Sequence, residues 1–89
     1  ALHQNFPNPF NPTTTFRFDL PGESEVRLAV YDMLGREVVL LLRNNLPAGT
    51  HSVNWAGLND KGIPVSNGIY YVKFVAGEFL ETRKVTLLK

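Results

Sequence analysis

Apolar side chains recur at every second position along most of this chain. Phe16, Phe18 and Leu20 form the first such series, with polar residues between them. The same period returns in residues 26–30, 51–55, 70–75 and 79–87. Successive side chains of a β-strand point to opposite faces, so this period predicts strands that are buried on one face only. Residues 38–42 are apolar throughout, which predicts a central strand covered on both sides.

Turn-forming sequences separate these stretches at short intervals. They lie at residues 21–22, 32–35, 48–49, 59–62, 66–68 and 76–77. In one of them, Asp32 is expected to bond back to the backbone while Gly35 takes a positive φ, as in a four-residue hairpin loop. No stretch has a convincing helical period. The pattern predicts an all-β chain, folded as an immunoglobulin-like β-sandwich of about six to seven short antiparallel strands.

Proline dominates the opening of the chain. Residues 1–12 carry three of the six prolines, which exclude a helix and favour extended or turn conformations. Phe6 and Phe10 suggest that this segment lies against the domain. The chain therefore divides into a proline-rich arm, residues 1–12, packed on the domain or leading into it, and a β-sandwich, residues 13–89. With 89 residues and no cysteine, this small domain depends on apolar burial and sheet pairing.

The charged residues show no concentration along the sequence. The formal net charge is +1, from nine Lys or Arg against eight Asp or Glu. Because the cations are spread along the chain, neither nucleic acid nor an anionic membrane surface is predicted as a partner. The longest apolar run, residues 38–42, is far shorter than the roughly 20 residues of a membrane span, so no membrane insertion is expected. The opening lacks an initiating Met and a signal-peptide pattern, and we interpret the chain as a piece of a longer protein.

The residues that catalysis requires are not arranged as a catalytic site. There is no cysteine, and no serine stands in a nucleophile-elbow sequence. His3 lies in the arm, and His51 shares strand parity with Trp55, which predicts a partly buried packing residue. Residues 59–62 resemble a calcium loop only faintly and are interpreted as a turn. The chain is therefore predicted not to be an enzyme, with no catalytic residue, metal site or cofactor.

Three aromatic residues allow two interpretations. Trp55, Tyr70 and Tyr71 could form a platform on which a sugar stacks, as in carbohydrate-binding modules. Alternatively, Trp55 and Tyr70 belong to the core while Tyr71 is a surface residue. Strand parity turns Trp55 and Tyr70 inward, which favours the core.

Five motifs occur in a definite order and at a definite spacing. They are QNFPNPFNP at residues 4–12, VYDMLGREV at residues 30–38, LPAGTH at residues 46–51 followed by Trp55, GIPVSNGIYY at residues 62–71 and TRKVTLLK at residues 82–89. Together they resemble the C-terminal sorting domain of cargo proteins of the type IX (Por) secretion system of the Bacteroidetes. Phe6 stands where that family more often has tyrosine. The middle segments also resemble the immunoglobulin-like domain of the flagellar hook-capping protein.

The resemblance implies a non-catalytic sorting signal that directs its parent protein across the outer membrane. The implied partners are outer-membrane translocon components, a sortase-like processing enzyme and an N-terminal cargo domain in the same parent chain. The implied location is the periplasm in transit, then the cell surface or the extracellular space. The family segments associated with recognition correspond here to Gly68, Tyr70, Lys84, Val85, Leu87 and Lys89.

Two interpretations of the last strand are open. A terminal strand at a sheet edge has unpaired backbone groups that can add to a partner sheet or support weak self-association, with Arg83, Lys84 and Lys89 supplying charge. Equally, Val85 and Leu87 complete the core while their basic neighbours discourage edge aggregation. For the whole chain, the alternatives are a carbohydrate- or surface-binding accessory module of a secreted hydrolase and a structural immunoglobulin-like assembly domain.

Overall fold

The computed structural model describes residues 1–9 and 13–88, and these form six β-strands and no helix. The strands are β1 (Thr14–Leu20), β2 (Ser24–Tyr31), β3 (Glu37–Leu46), β4 (Gly49–Trp55), β5 (Gly68–Ala76) and β6 (Phe79–Leu87). One sheet pairs β1 with β4, and the other has the order β3-β2-β5-β6. Each of these pairings is antiparallel. The predicted immunoglobulin-like sandwich is confirmed, with six strands in the described part of the chain.

The core lies between the two sheets and is built from the alternating positions of the sequence. Phe16 and Phe18 of β1 are fully buried, as are the side chains at the centre of β2 and β5, namely Val26, Leu28, Val30 and Val72. Trp55 is 2% exposed, and its ring meets that of Tyr70 edge-on at 5.5 Å. The indole Nε1 of Trp55 donates a hydrogen bond to the carbonyl oxygen of Leu58 (2.9 Å), which satisfies the buried polar group. The assignment of Trp55 and Tyr70 to the core is therefore confirmed.

The prediction of a central strand at residues 38–42 is wrong. These residues lie in β3, which is an edge strand of the four-stranded sheet. No residue of β3 is fully buried, and Leu40 is 39% exposed. Two register shifts interrupt the pairing of β3 with β2. An apolar run reveals that a strand is hydrophobic, but the number of neighbouring strands depends on pairings elsewhere in the chain.

The proline-rich arm runs antiparallel beside β1 and is joined to it by two isolated bridges, Leu2 with Phe18 and Phe6 with Thr15. The backbone N–H of His3 donates to the carbonyl oxygen of Arg17 (2.9 Å), and Phe6 and Thr15 exchange both of their backbone hydrogen bonds. Leu2, only 1% exposed, contributes its side chain to the core. Residues 10–12 of the arm lie outside the described residues.

The arm also reaches β6, on the other sheet. The backbone N–H of Leu2 donates to Glu81 Oε1 (3.2 Å), and Arg83 Nη2 donates to the carbonyl oxygen of Leu2 (3.1 Å). Further along, the side chain of Gln4 donates to the carbonyl oxygen of Lys84 (3.3 Å). The arm therefore closes the seam between β1 and β6, where the two sheets would otherwise be open.

Two loops are ordered by side-chain caps. Asp32 Oδ1 accepts hydrogen bonds from the backbone N–H groups of Leu34 (2.9 Å) and Arg36 (3.0 Å), and Gly35 has a φ of 83°. This is the predicted hairpin loop. Asn59 Oδ1 accepts from the N–H groups of Lys61 and Ile63, in a turn. Within residues 1–9 and 13–88, no helix is long and apolar enough to cross a membrane.

Candidate functional site

Antiparallel pairing of β5 with β6 brings together residues from two separate sequence motifs. Gly68 lies opposite Leu87, and Tyr70 lies opposite Val85. Lys84, the residue before Val85 on β6, lies opposite Tyr71, the residue after Tyr70 on β5. Five of the six residues associated with recognition thus lie at one end of the β5–β6 pair, and Lys89 lies outside the described residues.

Three of these five residues point into the core. Val85 is fully buried, Leu87 is 1% exposed and Tyr70 is 6% exposed. The hydroxyl of Tyr70 donates to the carbonyl oxygen of Ser66 (2.7 Å), which ties β5 to the preceding loop. Because their side chains hold the two sheets together, these residues are not accessible to a partner in the folded domain.

Gly68 is required by the backbone. Its φ is 145°, a region that residues with a side chain rarely adopt, although no other atom lies within 4 Å of the place where a Cβ would stand. Gly68 therefore shapes the entry into β5, and a substitution there strains the backbone whatever surrounds it.

Lys84 is exposed on the outer face of the four-stranded sheet, whereas Arg83 points the other way. The guanidinium of Arg83 pairs with Glu81 (2.7 Å) and bonds to the arm. The expectation that Arg83 presents its charge to a partner is therefore corrected, because neighbouring residues of a strand face opposite sides. Of the three cations considered for such a role, Lys84 alone is displayed on this outer face in the described part of the chain.

The outer edge of β6 is partly occupied. Arm side chains bond to the Lys84 carbonyl and to the backbone N–H of Thr86, which donates to Asn8 Oδ1 (3.0 Å). Outward-facing backbone groups alternate along an edge strand, so Leu80 and Thr82 are the next outward-facing residues. The position of β6 at a sheet edge agrees with the interpretation based on unpaired groups. The arm therefore occupies the outer edge in the second half of β6, at Lys84 and Thr86.

A shallow groove lies at the end of the sandwich beside Gly68 and Tyr70. It has a volume of about 480 Å³ and runs between the Asp32–Arg36 hairpin loop and the segment that precedes β5. Met33 and Leu34 border it and are 68% and 77% exposed. Of the six residues associated with recognition (the recognition candidates), Gly68 and Tyr70 line this groove.

Each of the two histidines contacts a side chain of β1. His51 is half-buried and stacks on Phe18, with ring centroids 5.5 Å apart, as expected for a packing residue. His3 Nε2 lies 2.5 Å from Asp19 Oδ2. Hydrogen bonds from His3 and then Thr50 lower the pKa of the Asp19 carboxyl below its usual value. Among residues 1–9 and 13–88, no three His, Asp or Glu side chains converge where a metal ion could bind.

A polar cluster on the outer face of the four-stranded sheet was not predicted from the sequence. Arg27 Nη1 donates to the hydroxyl of Tyr31 (2.9 Å), and its Nη2 pairs with Glu37. Lys73 Nζ lies 4.5 Å from the centre of the Tyr31 ring. Strand parity predicts that Arg27 and Tyr31 lie on the same face of β2. It does not predict which residues of β5 and β3 lie beside them.

Comparison with known proteins gives the family and the fold. The FlgD Ig-like domain model matches residues 7–78. Two solved structures from Porphyromonas gingivalis share the fold. Dimeric latent PorU has a TM-score of 0.75 and 21% identity over 96% of this chain. PorZ, described as an essential bacterial surface component of the type-IX secretion system, has a TM-score of 0.67 and 17% identity over 97% of this chain.

The chain spans only 9% of PorU and 11% of PorZ, and no curated protein matches it. At these identities the likeness concerns the fold alone. The relation to the hook-capping immunoglobulin-like domain, inferred from the middle segments, is confirmed by the family model. Because that model matches most of the residues, the chain belongs to the FlgD Ig-like domain family.

Proposed function

We propose that this chain is a non-catalytic sorting domain that directs its parent protein across the outer membrane through the type IX secretion system. The order of the five motifs supports this function. The similar fold of PorZ, a surface component of that system, supports it as well. In this proposal the parent protein passes through the periplasm and ends at the cell surface or outside the cell.

One observation carries the proposal. The motifs at residues 62–71 and 82–89 are apart in sequence, yet their recognition candidates pair directly across β5 and β6. A partner that reads this end of the sheet therefore meets both segments at once. Folding is a condition for recognition here, since Gly68, Tyr70, Val85 and Leu87 act by shaping the end of the domain.

Among the recognition candidates in residues 1–9 and 13–88, Lys84 is the one whose side chain is free to contact a translocon component. It is exposed, and its ammonium group forms no ion pair with any residue that the structure describes. A charge in this setting steers association and contributes modest affinity. The remaining partners in the proposal are a processing enzyme and the cargo domain of the same parent chain.

A secretion assay tests the proposal. A fluorescent reporter that carries an export signal and residues 1–89 is expressed in a bacterium with a working type IX system. We expect the reporter outside the cell with an intact translocon, and in the periplasm when the translocon is deleted. Folded reporter that stays in the periplasm of the intact host would contradict the proposal.

Two matched variants test the role of Lys84 in the same assay. Lys84→Gln removes the charge at the paired motif segments, whereas Lys61→Gln removes an exposed charge from the 59–62 turn. Both variants are expected to keep the stability of the parent domain, because both lysines are exposed. We expect Lys84→Gln to lower secretion severalfold and Lys61→Gln to leave it unchanged. Equal secretion of the two variants would remove Lys84 from the recognition surface.

The family match favours a structural assembly module as a second candidate. The chain matches the FlgD Ig-like domain model, its middle segments resemble the immunoglobulin-like domain of the flagellar hook-capping protein, and an assembly role also requires no catalysis. The same secretion assay separates the two functions, because an assembly module is not expected to direct a foreign reporter out of the cell. The glycan-platform alternative loses support, since Trp55 and Tyr70 are buried and cannot stack on a sugar.

A further inference from the structure

We propose that the outer face of the four-stranded sheet binds an acidic, extended polypeptide segment along a diagonal row of cations. The row consists of Arg27 on β2, Lys73 on β5 and Lys84 on β6. This inference goes beyond the sorting function and does not depend on it, because the binding is a property of the isolated domain.

Strand register defines the row. Arg27 lies opposite Val75, which is two residues from Lys73 on β5. Lys73 lies opposite Thr82, which is two residues from Lys84 on β6. Each step therefore joins diagonal neighbours, which are about 7–8 Å apart on the same face of a sheet. Both steps run in the same direction, so the three cations are aligned over roughly 15 Å.

The charge of the row is only partly neutralised within the domain. Arg27 pairs with Glu37. Lys73 and Lys84 form no ion pair with residues 1–9 or 13–88, and neither does the exposed Arg43, which lies opposite Arg27 on β3. The nine cations of the chain are dispersed in sequence, but folding gathers four of them on this face, against the two carboxylates of Glu25 and Glu37, so the face keeps an excess of positive charge.

The outer face of the other sheet has a different character. On β1 and β4 it carries one exposed cation, Arg17, opposite Ser52, among neutral residues and Asp19. Asp19 is held by His3 and Thr50. An acidic partner is therefore attracted to the four-stranded sheet and not to the two-stranded one.

The spacing of the row selects an extended chain as the occupant. Side chains at alternate positions of an extended polypeptide point the same way about 6.8 Å apart, close to the step between the cations. Leu80 and Val75 lie beside the row and offer apolar contact between the charges. A sugar ring is disfavoured, because Lys73 already occupies a face of the Tyr31 ring.

The test is a titration of the ¹⁵N-labelled 89-residue chain with a short peptide in which glutamate alternates with threonine. A second peptide, in which glutamine replaces each glutamate, is the control ligand. We expect shifts of the amide signals of Arg27, Lys73 and Lys84 with the glutamate peptide only. High salt is expected to abolish them, because the Debye length falls to about 3 Å at 1 M. No shifts on this face at low salt would overturn the proposal.

Charge-matched double variants locate the site. Lys73→Gln with Lys84→Gln removes two charges from the row, and Arg17→Gln with Lys61→Gln removes two exposed charges elsewhere. Each lysine of the row is expected to contribute up to about fivefold in affinity, the upper range for exposed ion pairs. The control pair is expected to change affinity less than twofold. If both double variants bound the glutamate peptide equally weakly, binding would depend only on the net charge of the domain, and the proposal would be overturned.

An anionic polysaccharide is the competing ligand. An alginate oligomer of similar length and charge provides the comparison in the same titration. We expect it to bind more weakly than the glutamate peptide, because its carboxylates are presented with a different spacing. Tighter binding of the oligomer at the same residues would overturn the choice of a polypeptide.

Discussion

At the scale of single residues, one step along β6 separates a side chain that a partner can reach from one that maintains the fold. Lys84 is exposed on the outer face, whereas Val85 is fully buried. A substitution of Val85 or Leu87 therefore acts through folding, and a loss of function in such a variant identifies no contact. The same applies to Gly68, whose φ restricts the position to glycine.

Trp55 is expected to be among the most sensitive positions of the core. Trp55→Ala removes a large buried ring that packs on Tyr70, together with the hydrogen bond to Leu58. We expect a loss of roughly 3–5 kcal/mol in the free energy of unfolding, measured by denaturant titration. Leu34→Ala, at a side chain that is 77% exposed, is the control and is expected to change stability by less than about 0.5 kcal/mol. A loss below about 1 kcal/mol for Trp55→Ala would contradict its place in the core.

Asp32 is expected to make stability depend on pH. Hydrogen bonds from the Arg36 backbone, the Arg36 side chain and the Leu34 backbone lower the pKa of the Asp32 carboxyl in the folded state. A carboxyl with a lowered folded pKa stabilises the fold above its unfolded pKa, near 3.9, and this contribution is lost as the pH falls through the folded pKa. Asp32→Asn keeps the Oδ1 acceptor but loses the charge.

Unfolding curves of the parent and Asp32→Asn between about pH 7 and pH 2 measure this contribution. We expect the parent to be more stable at neutral pH and the difference to disappear in acid. Asp60→Asn, at an exposed position in the 59–62 turn, is the control. A stability difference that stays constant over this pH range would show that the charge of Asp32 is not involved.

At the scale of elements, the arm determines how the sandwich is closed. It pairs with β1 through the backbone and with β6 through side chains, so it belongs to both sheets. A buried polar centre fixes its path, where Asn5 Nδ2 donates to Thr14 Oγ1 (2.8 Å) and to the carbonyl oxygen of Pro7 (3.0 Å). Because Asn5 is 3% exposed, these bonds compensate for the loss of hydration.

The contribution of the arm can be measured at two neighbouring residues. Leu2→Ala removes a side chain that is 1% exposed and is expected to lower the free energy of unfolding by about 2–3 kcal/mol. His3→Ala removes the exposed pairing with Asp19 and is expected to lower stability much less than Leu2→Ala, because solvent screens an exposed pair. Denaturant titration of both variants provides the comparison. Equal and small effects at the two positions would mean that the arm is not docked in solution.

At the scale of the whole molecule, two sheets and the arm share one small core. Trp55 of β4 packs on Tyr70 of β5, and Phe18 of β1 packs on Phe74 of β5 at 4.9 Å. The inward residues of each sheet therefore have their partners on the other sheet. Neither sheet can bury its apolar face alone, and the sandwich is expected to be stable only as a unit.

Unfolding is accordingly expected to be a single cooperative transition. Trp55 fluorescence reports contacts between the sheets, and far-ultraviolet circular dichroism reports the strands themselves. We expect the two signals to change at the same denaturant concentration. The total free energy of unfolding is expected to be about 4–13 kcal/mol for a chain of this length. Separate transitions for the two signals would show that one sheet persists without the other.

The sequence was sufficient to predict the class of fold and the identity of most core residues. Alternation at Phe16, Phe18 and Leu20 reports the face of the strand on which apolar side chains lie, because the period of a strand is local to it. The Asp32–Arg36 hairpin loop was predicted for the same reason, since a cap and a positive φ involve only neighbouring residues. The buried environments of Trp55 and Tyr70 followed from parity as well.

Tertiary structure alone decided which strands lie at the edges and which charges lie together. The apolar run in β3 predicts a central strand, whereas β2 and β5 occupy the centre of the sheet. The sequence places Arg83 beside Lys84, whereas the structure turns Arg83 inward to the arm. The cationic row cannot be predicted from the sequence, because its members come from three strands whose register is set by cross-strand pairing. Local periodicity tells which way a side chain points, whereas its neighbours depend on long-range contacts that form only when the whole chain folds.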